Sequence, residues 1–112
     1  MKITRVDVYA LRVDLGGASF FSSQAAFTRR KSLLVRIETD AGLVGWGEGG
    51  QYGPEEPVAA CITGLFGPFL LGRDPLQPEA LWEHMYALCR DFGRTGTMIE
   101  AISAIDIALW DL

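Results

Sequence analysis

The sequence has few residues of the types that build metal centres and disulfide frameworks. Its 112 residues include two cysteines and one histidine. Cys61 and Cys89 each fall on the apolar side of a predicted helix, which is typical of buried free thiols. His84 lies off the apolar stripe of its predicted helix and has no His, Cys or paired acid at ligand spacing, so we expect it on the surface. These features argue against both a disulfide scaffold and a zinc cluster.

The chain also lacks an excess of positive charge and a long apolar run. Lys and Arg number 10 against 14 Asp and Glu, a formal net charge of -4, which argues against nucleic acid as a partner. The longest apolar run, Leu65 to Gly72, is too short to span a bilayer, and alternating strand residues follow Met1-Lys2 where a signal peptide would need an apolar core. We expect a soluble, cytoplasmic protein with no membrane or nucleic-acid partner.

Apolar residues, in contrast, are abundant for a chain of this length. The hydrophobic fraction is 49%, and the mean hydropathy is +0.18. One domain of this size buries roughly two thirds of its unfolded surface. The composition therefore predicts that part of the remaining surface is covered by something else.

The segment from Leu33 to Gly50 predicts a β-hairpin. Alternate residues of its first arm can line one face, Asp40-Ala41-Gly42 supplies the turn, and the second arm runs from Leu43 to Glu48. Gly45 and Gly47 lie inside the second arm, although an interior glycine costs roughly 0.5 to 1 kcal/mol relative to alanine. This pattern predicts that another part of the protein approaches the backbone closely.

The residues before the hairpin predict a strand and then a long loop. Ile3 to Leu15 forms the strand, and its apolar phase changes, so that either both faces are covered or a bulge shifts the register. Gly16 to Thr28 has no sustained period and predicts either a functional flap or a mobile connection anchored by its phenylalanines. The cations that follow, Arg29, Arg30 and Lys31, could meet an anionic ligand, although a solvated strand entrance is the commoner explanation.

Helices are predicted after the hairpin. The first opens at Glu55-Glu56-Pro57 and is broken by Gly67-Pro68. The second begins at Pro78 and ends near Gly93, with an inward face of Leu81, Met85, Leu88 and Phe92. Thr97 with Glu100 matches a capping box that starts the last helix.

That last helix, Met98 to Leu112, is apolar around almost its whole circumference. A helix lying on one small sheet could not bury all of these side chains. It also lacks a Gly or Asn cap and has no basic residue in its last turn. We therefore expect the native chain to continue into a further domain.

No motif in the chain forms a complete active site by itself. The stretch from Gly45 to Gly50 matches G-x-G-x-x-G, but it belongs to an antiparallel hairpin, and Glu48 would put a carboxylate in the phosphate cradle. A helix N-terminus explains the paired acids Glu55 and Glu56. His84 is the only ordinary base candidate, and no G-x-S-x-G accompanies it.

Six features follow one another along the chain: an N-terminal strand, a flexible loop, VRIETDAGLVGWGE, LLGRDP, LWEHMY and GTMIEAISAIDIALWDL. Together they resemble the capping domain of the enolase superfamily, in its mandelate racemase and muconate lactonizing branch. The resemblance implies an α+β fold, a three-stranded antiparallel meander followed by three to four helices. Residues 1–112 would form one N-terminal capping domain, ending inside a helix that leads into a C-terminal TIM-like barrel.

The resemblance also implies a function. In such enzymes the barrel holds Mg²⁺ and the acid/base residues, a base removes the proton α to a carboxylate, and the metal stabilises the enediolate. The cap excludes water and selects the substrate, and neither catalytic nor metal-binding residues are expected within this chain. By position, its two loops correspond to Gly16–Thr28 and Gly49–Gly53, which gives as expected substrate or lid contacts Phe20, Ser22, Ser23, Gln24 and Tyr52.

The polar loop residues and the neighbouring cations favour an acid sugar or its lactone as the substrate. An acid-sugar dehydratase, a racemase and an aldarolactone cycloisomerase all agree with this reasoning, and we expect a homo-oligomer. A second hypothesis is a free-standing, non-catalytic binding or assembly module that uses the apolar last helix to pair with a partner.

Overall fold

The chain folds as an α+β domain whose sheet is covered on one face by helices. The computed structural model describes residues 1–50 and 53–112. Its strands are β1 (Ile3–Asp14), β2 (Phe20–Phe21), β3 (Ala26–Phe27), β4 (Arg29–Thr39) and β5 (Val44–Gly49). An antiparallel sheet has the order β1-β4-β5, which confirms the predicted meander, and β2 pairs with β3 in a separate ribbon.

The helices follow the sheet along the chain. Helix α1 (Glu55–Cys61) continues through a π-helical turn (Ile62–Phe66) into α2 (Gly67–Leu70). Helix α3 (Pro78–Leu88) ends in a 3-10 turn (Cys89–Asp91), and α4 (Thr97–Asp111) completes the domain.

The hairpin prediction is confirmed. Gly42 adopts φ 78° in the turn between β4 and β5, a conformation that glycine takes without strain. Val35 pairs with Val8 on one side and with Gly47 on the other, and it is fully buried between the sheet and the helices. The alternation of the first arm therefore points one set of side chains into the core.

Helix α4 lies directly against the glycines of β5. A Cβ atom at Gly47 would lie 2.0 Å from the carbonyl oxygen of Ala104, and one at Gly45 would lie 2.1 Å from that of Ala108. The helix backbone thus occupies the space that side chains on β5 would need. This contact confirms the predicted close approach.

The register of β1 shifts only at its beginning, between Ile3 and Arg5. This bulge precedes Val6, so it does not cause the change of apolar phase farther along the strand. After the shift, Val6 and Val8 pack against the core. The alternate side chains Tyr9, Leu11 and Val13 are exposed on the outer face. The two apolar phases of this strand therefore belong to two different faces of the sheet.

Three predictions about the helices are wrong. Gly67-Pro68 does not break the first helix, because the chain continues through a π-helical turn in which the Gly67 N–H donates to Ile62 O. Pro68, which has no N–H to donate, lies in the first turn of α2. The second helix does not bury Leu88 or Phe92. It tightens into a 3-10 turn after Leu88, and Cys89 takes the inward place instead.

The predicted capping box is also absent. Gly96, with φ 60°, is the N-cap of α4, and Thr97 is already helical. Its hydroxyl therefore makes no capping hydrogen bond with the start of the helix. The Glu100 N–H instead donates to Gly96 O at 3.0 Å.

The core lies between the inner face of the sheet and the helices. Its fully buried large side chains are Ile3, Leu33, Val35, Ile37, Val58, Ile62, Phe66, Leu70, Met85, Ile102 and Ile105. Cys89 belongs to this core as a free thiol, Cys61 is a half-buried free thiol, and His84 is exposed. Within the described residues, no helix is both long and apolar enough to cross a membrane.

Candidate functional site

A cleft opens at one edge of the sheet, between the β2-β3 ribbon, the start of β4, the end of β5 and helix α4. Its volume is about 550 Å³. The residues that line it are Phe20, Arg29, Arg30, Lys31, Glu48, Gly49, Gly50 and Ile107. Three cations and one carboxylate give this lining an excess of positive charge, which suits an anionic ligand.

The β2-β3 ribbon forms one wall of the cleft. The sequence predicts this segment as a loop, but Phe20 pairs with Phe27 and Phe21 with Ala26. The rings of Phe20 and Phe27 stack with centroids 4.9 Å apart and planes 18° apart. Offset ring contacts of this kind contribute about 0.5 to 1.5 kcal/mol beyond area burial, so the wall has a definite structure.

The predicted substrate contacts lie at different places on this ribbon. Phe20 lines the cleft. Ser22 begins the tight turn at the tip, where its Oγ accepts the N–H groups of Gln24 at 3.3 Å and Ala25 at 3.1 Å. Ser22, Ser23 and Gln24 are all exposed at that tip and do not line the cleft. Tyr52 lies outside the described residues, and the roles of all five residues stay predictions.

A buried carboxylate lies behind the cationic wall. Glu55, the first residue of α1, is only 2% exposed, and its Oε2 lies 2.9 Å from Lys31 Nζ. Its other oxygen binds the guanidinium of Arg12, which also reaches Glu56 at 2.6 Å. Arg12 and Lys31 are directly opposite each other on β1 and β4. Two like charges in that register would repel, and Glu55 neutralises them.

This arrangement strongly favours the ionised form of Glu55. The hydrogen bond from Lys31, backbone hydrogen bonding at the start of α1 and the pair with Arg12 together lower the pKa of Glu55 from 4.5 to about 2. The helix terminus alone, which the sequence suggested as the explanation, is therefore insufficient. Glu55 ties the strand ends that flank the Gly16–Thr28 segment to the start of α1.

Sequence reasoning missed Arg12 altogether. A signal was present, because Arg12 shares the parity of Val6, Val8 and Ala10 and so belongs to the face of β1 that turns toward the helices. A cation on that face needs a buried counter-ion. The paired acids at the start of the first predicted helix were the available candidates.

The described residues do not offer a Mg²⁺ site. Nowhere in residues 1–50 and 53–112 do three or more His, Cys, Asp and Glu side chains come close enough together to hold a metal ion. Glu48, the carboxylate of the cleft, accepts a hydrogen bond from Ser32 Oγ at 2.7 Å. A single carboxylate beside three cations is a poor ligand set for a hard divalent cation.

A second surface remains uncovered at the other side of α4. Trp110 is 65% exposed and Leu76 is 68% exposed. They help to line an apolar groove of about 560 Å³ that also includes Pro75, Leu109 and Leu112. As predicted from its apolar circumference, α4 is not covered on all sides by its own sheet.

Comparison with known proteins places this architecture in a family. Residues 8–112 match the model of the mandelate racemase / muconate lactonizing enzyme N-terminal domain. The chain is 45% identical over its whole length to a D-galactarolactone cycloisomerase from Agrobacterium fabrum, of which it covers 29%. It is 43% identical to an arabinonate dehydratase from Saccharolobus solfataricus, over 71% of this chain and 21% of that one.

The fold is similar to that of solved members. A racemase from Streptomyces coelicolor A3(2) with bound magnesium superimposes with a TM-score of 0.89 and 34% identity, over 98% of this chain and 31% of that one. The chain thus spans less than a third of the length of these three proteins. It belongs to the mandelate racemase and muconate lactonizing enzyme family of the enolase superfamily, as an N-terminal capping domain.

Proposed function

We propose that this chain is the substrate-selecting cap of a Mg²⁺-dependent enzyme that removes a proton α to the carboxylate of an acid sugar or its lactone. The observation that carries the proposal is the cationic cleft beside the Phe20 ribbon, within a domain of this family. Relatives named as a cycloisomerase and a dehydratase of sugar acids support this substrate class. The reaction is a dehydration, a racemisation or a lactone cycloisomerisation.

The cap would contribute binding and exclusion of water. The cleft offers cations for a carboxylate, while Glu48 can accept hydrogen bonds from hydroxyl groups. Phe20 and Ile107 add apolar surface to the same lining. A ligand closed under this wall would lose bulk water, and electrostatic interactions strengthen in such an environment.

Mg²⁺ and the acid/base residues belong, in this proposal, to a barrel domain outside the chain. The similar racemase structure holds magnesium, whereas the described residues here bring no ligand set together. The 112 residues alone are then inactive. The exposed groove around Trp110 would be covered by that barrel, and the complete enzyme would be a cytoplasmic homo-oligomer.

The test is a substrate screen of the complete protein in which this chain occurs. Aldonic and aldaric acids and their lactones are supplied with Mg²⁺ or with excess EDTA, and loss of the proton α to the carboxylate, by exchange or by conversion to product, is followed by NMR in D₂O. We expect metal-dependent loss of this proton for at least one acid sugar. Metal-independent loss, or no loss across the panel, would contradict the proposal.

The binding-module hypothesis makes the opposite prediction for the same gene product. A coding sequence that ends at Leu112, with a monodisperse and inactive product, would favour that hypothesis over the cap of an enzyme. A continuation through alternating strands and helices with acids at successive strand ends would favour the cap.

A further inference from the structure

The three cations of the cleft differ in the partners that they already have. Lys31 Nζ lies 2.9 Å from the buried carboxylate of Glu55. Arg29 Nε lies 3.9 Å from Asp14. Arg30 forms no ion pair with a carboxylate of residues 1–50 or 53–112. Of the three, Arg30 therefore has the charge that is least neutralised within the described part of the chain.

Arg30 is nevertheless held in place. Its Cζ lies 3.8 Å from the centroid of the Phe20 ring, and that ring in turn stacks on Phe27. A guanidinium that lies flat on a ring uses its π face and leaves its N–H edge free to donate. That edge can make two parallel hydrogen bonds to one carboxylate, and a preformed orientation reduces the entropy lost on binding.

The other polar group of the cleft limits the ligand that can fit. Glu48 accepts a hydrogen bond from Ser32 Oγ at 2.7 Å and has further acceptor capacity. It repels a carboxylate placed against it but can accept from hydroxyl groups. A molecule with a carboxylate at Arg30 and hydroxyl groups toward Glu48 satisfies both requirements.

We infer that Arg30, stacked on Phe20, binds a second carboxylate of the substrate, one remote from the reacting carbon, so that the cleft selects di-acid sugars over mono-acid sugars. The inference rests on the proposed function, in which Mg²⁺ and the acid/base residues that act at the reacting carbon belong to the barrel. Phe20 acts as a positioning residue, since it orients the guanidinium. A contact to such a remote group that is equally strong in the ground state and in the transition state changes KM more than kcat.

The experiment compares two substrates in the complete, Mg²⁺-loaded protein: an aldaric acid and the aldonic acid of the same configuration. Arg30→Gln should raise KM for the di-acid on the order of tenfold, the loss expected for one charge-assisted contact at an exposed site. KM for the mono-acid should change less than about twofold, and kcat should be retained for both. Arg30→Lys should give an intermediate KM, because it keeps the charge and loses the planar fork.

Three further variants separate the positioning role of Phe20 from general effects on the protein. Phe20→Ala should raise KM for the di-acid, as Arg30→Gln does. Phe20→Tyr should keep this KM near the wild-type value, because the ring is retained. Arg73 is a matched control, since its Cζ lies 3.9 Å from the centroid of the Phe69 ring outside the cleft. Arg73→Gln should leave both KM values unchanged.

The outcomes distinguish this inference from the proposed function. Turnover of acid sugars with equal effects of Arg30→Gln on both substrates, or with no effect on either, overturns the inference and leaves the proposed function intact. A wild type that turns over neither class overturns the proposed function. Calorimetric titration of the aldaric acid then decides the binding claim, which fails if wild type and Arg30→Gln bind it equally or not at all.

Discussion

Replacing Gly47 by alanine should destabilise the domain, whereas the same replacement at Gly49, on the same face of β5, should not. A Cβ at Gly47 would lie 2.0 Å from Ala104 O and 2.7 Å from Ala108 N. Real Cβ contacts essentially never fall below 3.0 Å. The helix must therefore move away from the strand by about 1 Å, and the obstacle is main chain that cannot rotate aside.

The size of the difference follows from these contacts. Overpacking typically costs about 1 to 3 kcal/mol, and a rigid helix backbone puts Gly47→Ala at about 3 kcal/mol. A Cβ at Gly49 would meet Leu33, Ala104 and Val58 side-chain atoms at 3.5 to 3.6 Å, which is ordinary van der Waals contact. There the lower entropy of the unfolded chain should stabilise the fold by about 0.4 to 1 kcal/mol.

Urea unfolding followed by tryptophan fluorescence measures both variants, with the free energy obtained by linear extrapolation. Gly49→Ala is the matched control, since strand, face and added methyl group are the same. Midpoints are compared at several protein concentrations, so that self-association does not enter the difference. Equal free energies of unfolding for the two variants would refute the close approach of α4.

Other measurements test the ion pairs, the uncovered helix and the ribbon tip. Because the folded-state pKa of Glu55 is depressed from 4.5 to about 2, its carboxylate stabilises the fold above pH 4.5, and that contribution is lost as the pH falls toward 2. The stability advantage of wild type over Glu55→Gln should therefore shrink over this range in acid unfolding. Glu56→Gln, a change at a 66% exposed side chain, should show a much smaller effect. Equal pH profiles for the two variants would contradict the ion pairs of Glu55 with Arg12 and Lys31. The isolated chain should bind a hydrophobic dye, and Trp110→Ser should weaken the dye fluorescence; a dye-silent wild type would argue against a missing cover. Gln24→Ala in the complete protein should alter the ranking of substrates more than the melting temperature, and an unchanged ranking would remove Gln24 from the site.

The family could be predicted from the sequence because its motifs lie in continuous segments. The hairpin turn at Gly42, the glycines of β5 and the apolar stripe of α4 each have local causes, namely φ above zero, an absent Cβ and the helical period. Such signals are present in a few neighbouring residues. For the same reason the three-stranded meander and the number of helices were predicted correctly.

Elements with weak local signals were predicted less well. The ribbon of Phe20 and Phe27 has strands of two residues each, too short for a period to show, and depends on ring stacking across the turn. At Gly67-Pro68, the proline, which lacks an N–H, can end the helix, or the helix can continue past it through a π-helical turn. Local sequence is compatible with both, and the choice between them depends on packing.

The candidate site shows the same division. The cationic run and the segment that carries Phe20 could be identified from the sequence, because the charge of a run and the composition of a loop depend only on adjacent residues. That Arg12 and Lys31 share Glu55, while Arg30 lies on the Phe20 ring, was decided only by the tertiary structure. Arg12 and Glu55 are 43 positions apart, and only the pairing of β1 with β4 and the docking of α1 bring these opposite charges together.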